Sequence, residues 1–316
     1  MKRYSNYLAG VGYALIFGFS FLVTKGALAA LDPFELLALR FALATAIMGG
    51  LALARVIRLD FRGKPRRDLA LACLFQPVLY FACETFGLAE SASSTAGIVL
   101  GALPAAVAVL GAFMLKERLS ARQAASLGLS VAGVALIVLR GAMAGGATEG
   151  EGSLRGLLLL LGAMASATFF NIYSRKSSRS YGPFETTFAM MLTGAVFFGA
   201  IALGRDAALG RLVGPEGLGA RAATAWVGIL YLGALSSVLA FFLVNFTLSR
   251  LMASQSVVFA NLTTVISVAA GVAIRGERFD LVQAAGALMI VLGVWGTNAA
   301  ARRQGTKLAE SAGNTR

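Results

Sequence analysis

Ten long apolar stretches run along this chain, and they constrain its fold more than any other feature. Each is about 20 residues long, the length that an α-helix needs to cross about 30 Å of hydrocarbon. The sequence is 58% hydrophobic, whereas soluble domains are about 45–50% apolar. Backbone polar groups cannot stay unpaired in lipid, so each stretch is predicted to be a helix. The predicted spans are residues 6–28, 33–54, 67–89, 92–115, 121–140, 154–174, 184–203, 224–247, 253–274 and 280–300.

Two short motifs occur twice, at a nearly constant separation. Pro33-Phe34-Glu35 returns 150 residues later as Pro183-Phe184-Glu185. Glu117-Arg118 returns 160 residues later as Glu277-Arg278. A two-fold repeat of this size in so apolar a chain is typical of transporters built from two related halves.

The fold predicted from these features is an all-α integral membrane protein with ten transmembrane helices in two inverted five-helix repeats. Residues 1–145 form the first repeat and residues 150–302 the second, followed by a disordered cytoplasmic tail, residues 303–316. Because five is an odd number, the second repeat enters the membrane in the opposite orientation. Inverted repeats give a protein two similar conformations with opposite openings, which is the geometry of alternating access.

The distribution of basic residues predicts the orientation. The formal net charge is +13, and nineteen of the 28 Lys and Arg residues fall in segments that lie inside if the N-terminus is cytoplasmic, against seven in the outer segments. The positive-inside rule then places both termini in the cytoplasm of a bacterial inner membrane. The basic charge is therefore an orientation signal, and no nucleic-acid partner is predicted.

Several residues of both halves resemble a known family. Glu-Arg is followed by Gln123 and Gly133-Val134 in the first half, and by Gln283 and Gly293-Val294 in the second. With Pro-Phe-Glu and the ten spans, this pattern resembles the EamA-type repeat of the drug/metabolite transporter superfamily over about residues 5–300. Arg40-Phe41 and Pro104 also look like that repeat, but the second copy has Met190 and Thr264 at the positions of Arg40 and Pro104.

This resemblance implies export of amino acids, small metabolites or cationic drugs through a central cavity, and the YddG-like amino-acid exporters are the branch considered. Polar and aromatic residues three or four apart share one face of a helix. Polar side chains facing lipid are costly, so such faces are predicted to line the cavity. Hydrogen bonding between helices is the alternative, at about 0.6 kcal/mol per contact. The predicted cavity residues are Tyr13, Phe17, Ser20, Gln76, Tyr80, Glu84, Phe170, Asn171, Phe241, Asn245, Gln255, Phe259 and Asn261.

Glu84 is the only acid well inside a predicted span. Burial favours the protonated form of a carboxyl, so Glu84 is the candidate for proton coupling or for binding a substrate ammonium group. The alternative is a structural pair with Lys25 or Arg40. Pro77 and Pro104 remove backbone hydrogen bonds within spans and are predicted helix breaks.

Other classes of function find little support in the sequence. The chain has no His and two Cys, so no metal or cofactor is predicted, and an intramembrane enzyme is a remote alternative. Aromatic faces with amide and carboxylate groups suit a zwitterion with an apolar side chain, and hydrophobic or aromatic amino acids are the first expectation. A quaternary-amine drug, or a nucleotide-sugar, phosphate-ester or lipid-linked substrate, is the alternative. The expected partners are this small molecule and the lipid bilayer; the oligomeric state stays open, with a monomer plausible.

Overall fold

The computed structural model describes residues 2–115, 121–143, 153–212, 217–250, 259–277 and 279–296. Within these ranges the secondary structure is helical, with no strand. We number the long helices α1 to α10. They are α1 Lys2–Ala27, α2 Pro33–Leu53, α3 Arg67–Ala89, α4 in two segments (Ser93–Gly101 and Leu103–Leu115), α5 Ala121–Met143, α6 Leu154–Ser177, α7 Pro183–Ala208, α8 Trp226–Arg250, α9 Ala260–Arg275 and α10 Leu281–Gly296.

Seven of these helices, α1 to α4 and α6 to α8, contain a segment long and apolar enough to cross a membrane. The parts of α5, α9 and α10 that qualify as apolar are shorter, at 10–17 residues. Each predicted span overlaps one helix, so the chain is an all-α integral membrane protein. The prediction missed the end of α7, which runs to Ala208 because Arg205 and Asp206 are held by ion pairs, and it missed the short helix Leu218–Thr224.

The repeat seen in the sequence is also a repeat of structure. Along residues 27–50, which end α1 and form most of α2, buried and exposed positions alternate in almost the same order as along residues 177–200. Both α2 and α7 begin with proline, and in both the glutamate three residues into the helix accepts a backbone hydrogen bond. Glu35 accepts from Asp32 N at 2.9 Å, and Glu185 accepts from Gly182 N at 2.7 Å.

The equivalent helices α2 and α7 pack against each other and run antiparallel. At the start of α2, Asp32 forms an ion pair of 2.9 Å with Arg205, which lies near the end of α7. At the start of α7, Glu185 forms an ion pair of 2.8 Å with Lys64, in the segment that follows α2. The start of each helix therefore lies beside the end of the other, as an inverted repeat requires.

The two halves interlock around this antiparallel pair. Helix α1 packs against α8 and α9 of the other half, and its equivalent α6 packs against α3 and α4. The equivalent helices α4 and α9 also pack against each other. Helices of each half therefore pack against helices of the other half. The main aromatic core also contains residues of both halves.

Helices α5 and α10 meet through small residues. A Cβ atom added to Gly133 would lie 2.7 Å from the carbonyl oxygen of Gly286, and one added to Gly293 would lie 2.5 Å from that of Ser126. The two contacts are related by the repeat, since Ser126 and Gly133 lie 160 residues before Gly286 and Gly293. Small residues let helix backbones approach closely in a membrane.

Three helices depart from regular α geometry beside the bundle centre. Helix α3 contains a wide π-helical turn, Leu74–Leu79, in which Gln76 has non-helical angles (φ −148°, ψ 114°) directly before Pro77. Helix α8 has a π-helical segment at the related position, Tyr231–Ala240. Helix α4 is interrupted at Ala102, two residues before Pro104. Such turns free backbone groups and reorient neighbouring side chains, and they are frequent at functional sites.

Candidate functional site

A cavity lies where α1, α3, α4, α6, α8 and α9 meet. Its volume is about 100 Å³, which is room for a few water molecules. Nine residues predicted from helical spacing line it, namely Tyr13, Phe17, Ser20, Gln76, Tyr80, Glu84, Phe170, Asn171 and Phe241. The structure brings these side chains together, and their binding of a substrate stays a prediction.

The cavity straddles the symmetry between the two halves. Phe81 and Phe241 both line it and are related by the offset of 160 residues, as are Gln76 and Ser236. Five further related pairs contribute both members to the wall, namely Phe17 with Ala167, Ser20 with Phe170, Phe21 with Asn171, Glu84 with Val244 and Leu103 with Thr263. In most of these pairs one residue is polar and the other is apolar. The two halves therefore contribute equivalent positions to the cavity wall, but side chains of different polarity.

One wall of the cavity is polar and belongs to α3. Tyr80 and Glu84 lie four residues apart in regular helix and share a face, and Gln76, from the π-helical turn before them, lines the same cavity. Within the described chain, the Gln76 amide and the Tyr80 hydroxyl make no hydrogen bond to another residue. The Glu84 side chain is buried, and its Oε2 accepts a hydrogen bond of 3.2 Å from Thr85 Oγ1. These groups are therefore available to a molecule in the cavity.

A second part of the cavity wall is aromatic. The ring of Phe241 lies 5.2 Å from that of Phe17, 5.7 Å from Phe81 and 6.4 Å from Phe170, each in an edge-to-face arrangement. Tyr13 extends the group, with its ring centre 6.0 Å from that of Phe17. Aromatic surfaces of this kind accommodate apolar side chains and attract cations through their faces.

Behind this wall lies Arg40 of α2, a buried cation. Its Nε and Nη2 donate hydrogen bonds of 3.1 Å to Ser237 Oγ and Ser236 Oγ. The guanidinium also lies 4.4 Å from the centre of the Phe81 ring. Glu84 lies on α3 three residues after Phe81, but within the described residues it forms no ion pair shorter than 4.0 Å with Arg40.

Lys25 does not pair directly with Glu84. Its Nζ donates hydrogen bonds of 2.9 Å and 3.2 Å to the carbonyl oxygens of Leu88 and Ala89 at the end of α3. Cations are favourable at this end of a helix, where carbonyl groups lack partners. Lys25 therefore links α1 to α3, and it lies outside the set of residues that line the cavity.

Glu277 joins the two halves at the same end of the bundle. Its Oε1 accepts from Ser93 N (2.9 Å) and Ser93 Oγ (2.6 Å), and its Oε2 accepts from Ser94 N (2.9 Å). Partial burial opposes the ionisation of Glu277, but the hydrogen bonds from Ser93 and Ser94 outweigh it and hold the pKa of this carboxyl below its ordinary value. The loop after α9 thus caps the first turn of α4.

Three of the described residues that were predicted to line the cavity are not among those that do. Asn245 is buried between helices, accepting from Ser174 Oγ at 2.8 Å and donating to Thr187 Oγ1 at 2.9 Å. Phe259 packs against the Tyr13 ring at 5.9 Å. The Oδ1 atom of Asn261 is buried without a hydrogen bond among the described residues. Gln255 lies outside the described residues.

The spacing argument also missed several residues that line the cavity. Gly97 and Gly101 of α4 contribute to it while allowing close approach of Ser267 and Thr264 of α9. Ser236 lines it while accepting the hydrogen bond from Arg40. The two glycines are four residues apart and therefore lie on one face of α4. Only the packing of α4 against α9 shows which residues that face contacts. Groups of three or more His, Cys, Asp or Glu that could hold a metal ion do not occur in the described parts of the chain.

This interlocked ten-helix arrangement can be compared with known proteins. The model of the EamA-like transporter family matches twice, at residues 5–139 and 154–299, once for each half. The chain belongs to the EamA-like transporter family. It is therefore a membrane transporter of the drug/metabolite transporter superfamily.

Relatives from Bacillus subtilis (strain 168) agree with this membership in the EamA-like family. The chain is 38% identical to the uncharacterized transporter YcxC over 92% of each chain, and 25% identical to the uncharacterized transporter YetK over 94% of this chain and 87% of YetK. A crystal structure matches with a TM-score of 0.63 and 23% identity, covering 95% of this chain and 98% of that one. This last likeness shows the fold alone.

Proposed function

We propose that this transporter exports small amphipathic metabolites, with hydrophobic and aromatic amino acids as the principal substrates. The observation that carries the proposal is the two-sided cavity. The polar side chains of Gln76, Tyr80 and Glu84 line the same cavity as the rings of Phe17, Phe170 and Phe241. A zwitterionic head fits the first wall, and an apolar side chain fits the second. Glu84, the single acid among the described residues that line the cavity, is the group that binds an ammonium.

Anionic cargo such as nucleotide sugars or phosphate esters fits this cavity less well. Arg and Lys are absent from the described residues that line it. The hydrogen bonds of Lys25 go to carbonyl oxygens of α3, and those of Arg40 go to Ser236 and Ser237. Phosphate groups are normally held by several basic side chains or by helix N-termini. A quaternary-amine drug remains a second candidate, since aromatic faces and a carboxylate also suit a cation.

Transport proceeds by alternating access in this proposal. The halves are joined at opposite ends of the bundle, through Glu277 to Ser93 and Ser94 at one end and through Glu185 to Lys64 at the other. Rocking of one half against the other would loosen the contacts at one end while those at the other hold. The protein sits in the bacterial inner membrane with both termini in the cytoplasm, and Glu84 exchanges a proton in each cycle.

Counterflow in proteoliposomes tests this function. Proteoliposomes that contain the purified protein are loaded with one unlabelled compound from a panel of amino acids and one cationic dye. The exchange of that compound for its labelled form outside is then measured. We expect saturable exchange of aromatic and large aliphatic amino acids, each inhibiting the others. Folded protein that exchanges none of the panel, while phosphorylated or lipid-linked compounds exchange, would show that the substrate class is wrong.

The variant Glu84→Gln tests the role of the carboxyl. If one proton is coupled to each substrate, a potential of 100 mV supplies about 2.3 kcal/mol, enough for a gradient of about 40-fold. We expect Glu84→Gln to exchange substrate only at higher concentrations, since the ammonium loses its carboxylate partner, and to lose this driven accumulation, so that its gradient falls to about onefold. The control is Glu90→Gln, which removes a carboxylate at the end of the same helix, paired there with Arg155. Equal accumulation by both variants would contradict coupling through Glu84.

A further inference from the structure

Two charged residues of the first half both have uncharged equivalents in the second half. Arg40 is equivalent to Met190 by the offset of 150 residues, and Glu84 is equivalent to Val244 by the offset of 160. Met190 and Val244 are both buried or nearly so. In the second half, the positions equivalent to Arg40 and Glu84 are therefore both occupied by apolar side chains, and no buried charge is left there without a partner.

The surroundings of Arg40 show why it needs a counter-charge. Its side chain is 1% exposed, and its hydrogen-bond partners Ser236 and Ser237 are neutral. The faces of Phe41 and Phe81 lie 5.3 Å and 4.4 Å from the guanidinium and carry no net charge. A buried cation without an opposite charge is strongly disfavoured in a membrane protein interior. Glu84, 2% exposed, lies about one turn of α3 after Phe81, the residue whose ring the guanidinium contacts.

We propose that Arg40 is a specificity-determining residue, which balances the charge of Glu84 so that the cavity accepts zwitterions and discriminates against cations. This inference rests on the proposed function and narrows its substrate class. With Arg40 and Glu84 both charged, the empty site is electrically neutral. A zwitterion keeps it neutral, with its ammonium at Glu84 and its carboxylate near the Gln76 amide. A monovalent cation leaves an unbalanced positive charge beside buried Arg40.

Arg40 acts from behind the wall and is not a substrate ligand. Arg40 does not line the cavity. It donates a hydrogen bond to Ser236, and its guanidinium lies over the Phe81 ring. Ser236 and Phe81 both line the cavity. Removal of its charge should therefore leave the shape of the site nearly intact while making the site negative. The methionine at position 190 identifies Arg40→Met as a replacement of similar length that the fold has already accepted at the equivalent position.

Two substrates that share a phenylethyl group test this specificity. L-phenylalanine is a zwitterion, and trimethyl(2-phenylethyl)ammonium is a permanent cation. In proteoliposomes we expect the unaltered protein to prefer the zwitterion by about tenfold or more, an effect of unbalanced charge at low dielectric constant. Arg40→Met should shift this ratio towards the cation by at least about tenfold, whereas Arg40→Lys, which keeps the charge, should stay near the original ratio. An unchanged ratio in Arg40→Met would overturn the proposal.

A thermal-stability cycle tests the charge balance without any transport. The variants are Arg40→Met, Glu84→Val and the double variant, which gives the first half the residues of the second. Each single change leaves one buried charge alone, so the double variant should be more stable than Arg40→Met. Arg155→Met with Glu90→Gln, a more exposed pair 3.2 Å apart, is the control and should show almost no coupling.

The two experiments separate the two claims. If neither phenylethyl compound is transported by folded protein, the proposed function fails for this substrate class and the stability cycle alone decides on the charge balance. Additive losses in the double variant would then overturn the role of Arg40 as counter-charge. Transport of both compounds with equal preference, in the unaltered protein and in Arg40→Met, would overturn the specificity while leaving the transporter itself established.

Discussion

At the scale of single residues, Glu277 is the clearest structural carboxylate of the chain. Its three hydrogen bonds come from two backbone N–H groups and one hydroxyl at the start of α4, with donor–acceptor distances of 2.6–2.9 Å. Hydrogen bonds to a charged group contribute about 1.5–3 kcal/mol each when buried, and less where water has access. A glutamine at this position keeps two acceptor lone pairs on one oxygen but loses the charge and the second acceptor. The capping contact should weaken accordingly.

We therefore predict that Glu277→Gln lowers the stability of the purified protein in a pH-dependent way. The pKa of Glu277 is lower in the folded protein than its ordinary value of 4.5. The carboxylate thus contributes stability above about pH 4.5, and this contribution is lost as the pH falls towards the lower folded-state pKa. Thermal unfolding in detergent should show a loss of about 1–3 kcal/mol at pH 7. The gap between the variant and the unaltered protein should narrow below pH 4.5; a constant gap would contradict this assignment.

The cavity residues show how far the sequence predicts a site at this scale. Gln76, Tyr80 and Glu84 were predicted from their spacing to share one face, and all three line the cavity although Gln76 lies in a π-helical turn. Asn245 obeys the same rule, yet its amide bonds Ser174 and Thr187. Spacing identifies a helix face but not the neighbour that this face meets. The contact of Arg40 with Ser236 and Ser237 joins residues almost 200 positions apart, and nothing local in the sequence predicts it.

At the scale of helices, apolar length predicted the elements well because the bilayer sets a minimum length that few sequences meet by chance. The internal breaks were harder. Pro77 marks the turn in α3, but the equivalent turn in α8 has Ser236 and Ser237 and no proline. The geometry of α8 is thus imposed by its packing against α1 and α2. A helix break at a proline can be predicted from the sequence, whereas a break that neighbouring helices stabilise cannot.

The contact between α5 and α10 provides a matched test at this scale. A side chain on Gly133 would meet the Gly286 carbonyl oxygen, Met289 and Ile290, while Gly128 in the same helix has open space around it. We predict that Gly133→Val destabilises the protein by about 1–3 kcal/mol, the usual range for overpacking. Gly128→Val changes the intrinsic helix propensity by the same amount and should have little other effect.

Thermal unfolding monitored by size-exclusion chromatography measures both glycine variants under one set of conditions. The two substitutions add the same side chain to the same helix, so any difference between them reports the contact with α10. Equal losses in both variants would show that this contact does not constrain the helix pair. A loss confined to Gly133→Val would show that the two halves depend on close approach of α5 and α10.

At the scale of the whole molecule, the ion pairs at the two ends of α2 indicate how the halves sit in the membrane. Arg221 pairs with Glu35 at 2.9 Å at the start of α2, and Lys64 pairs with Glu185 at 2.8 Å beyond its end. Helix α2 has 21 residues, which span about 30 Å at 1.5 Å per residue. The segments that carry Lys64 and Arg221 must therefore emerge on opposite faces of the bilayer.

Single-cysteine labelling tests this arrangement and its orientation together. Cys73 and Cys83 are replaced by Ala, and a cysteine is introduced at Arg62, which is exposed near Lys64, or at Gly219, which is exposed near Arg221. The excess of basic residues predicts that the first segment lies in the cytoplasm. A membrane-impermeant maleimide should therefore label Gly219→Cys in intact cells and label Arg62→Cys only after permeabilisation. The reverse pattern would contradict cytoplasmic termini but retain the inverted halves. Labelling of both sites from one side would contradict the inversion itself, and with it the proposed alternating exposure of the cavity.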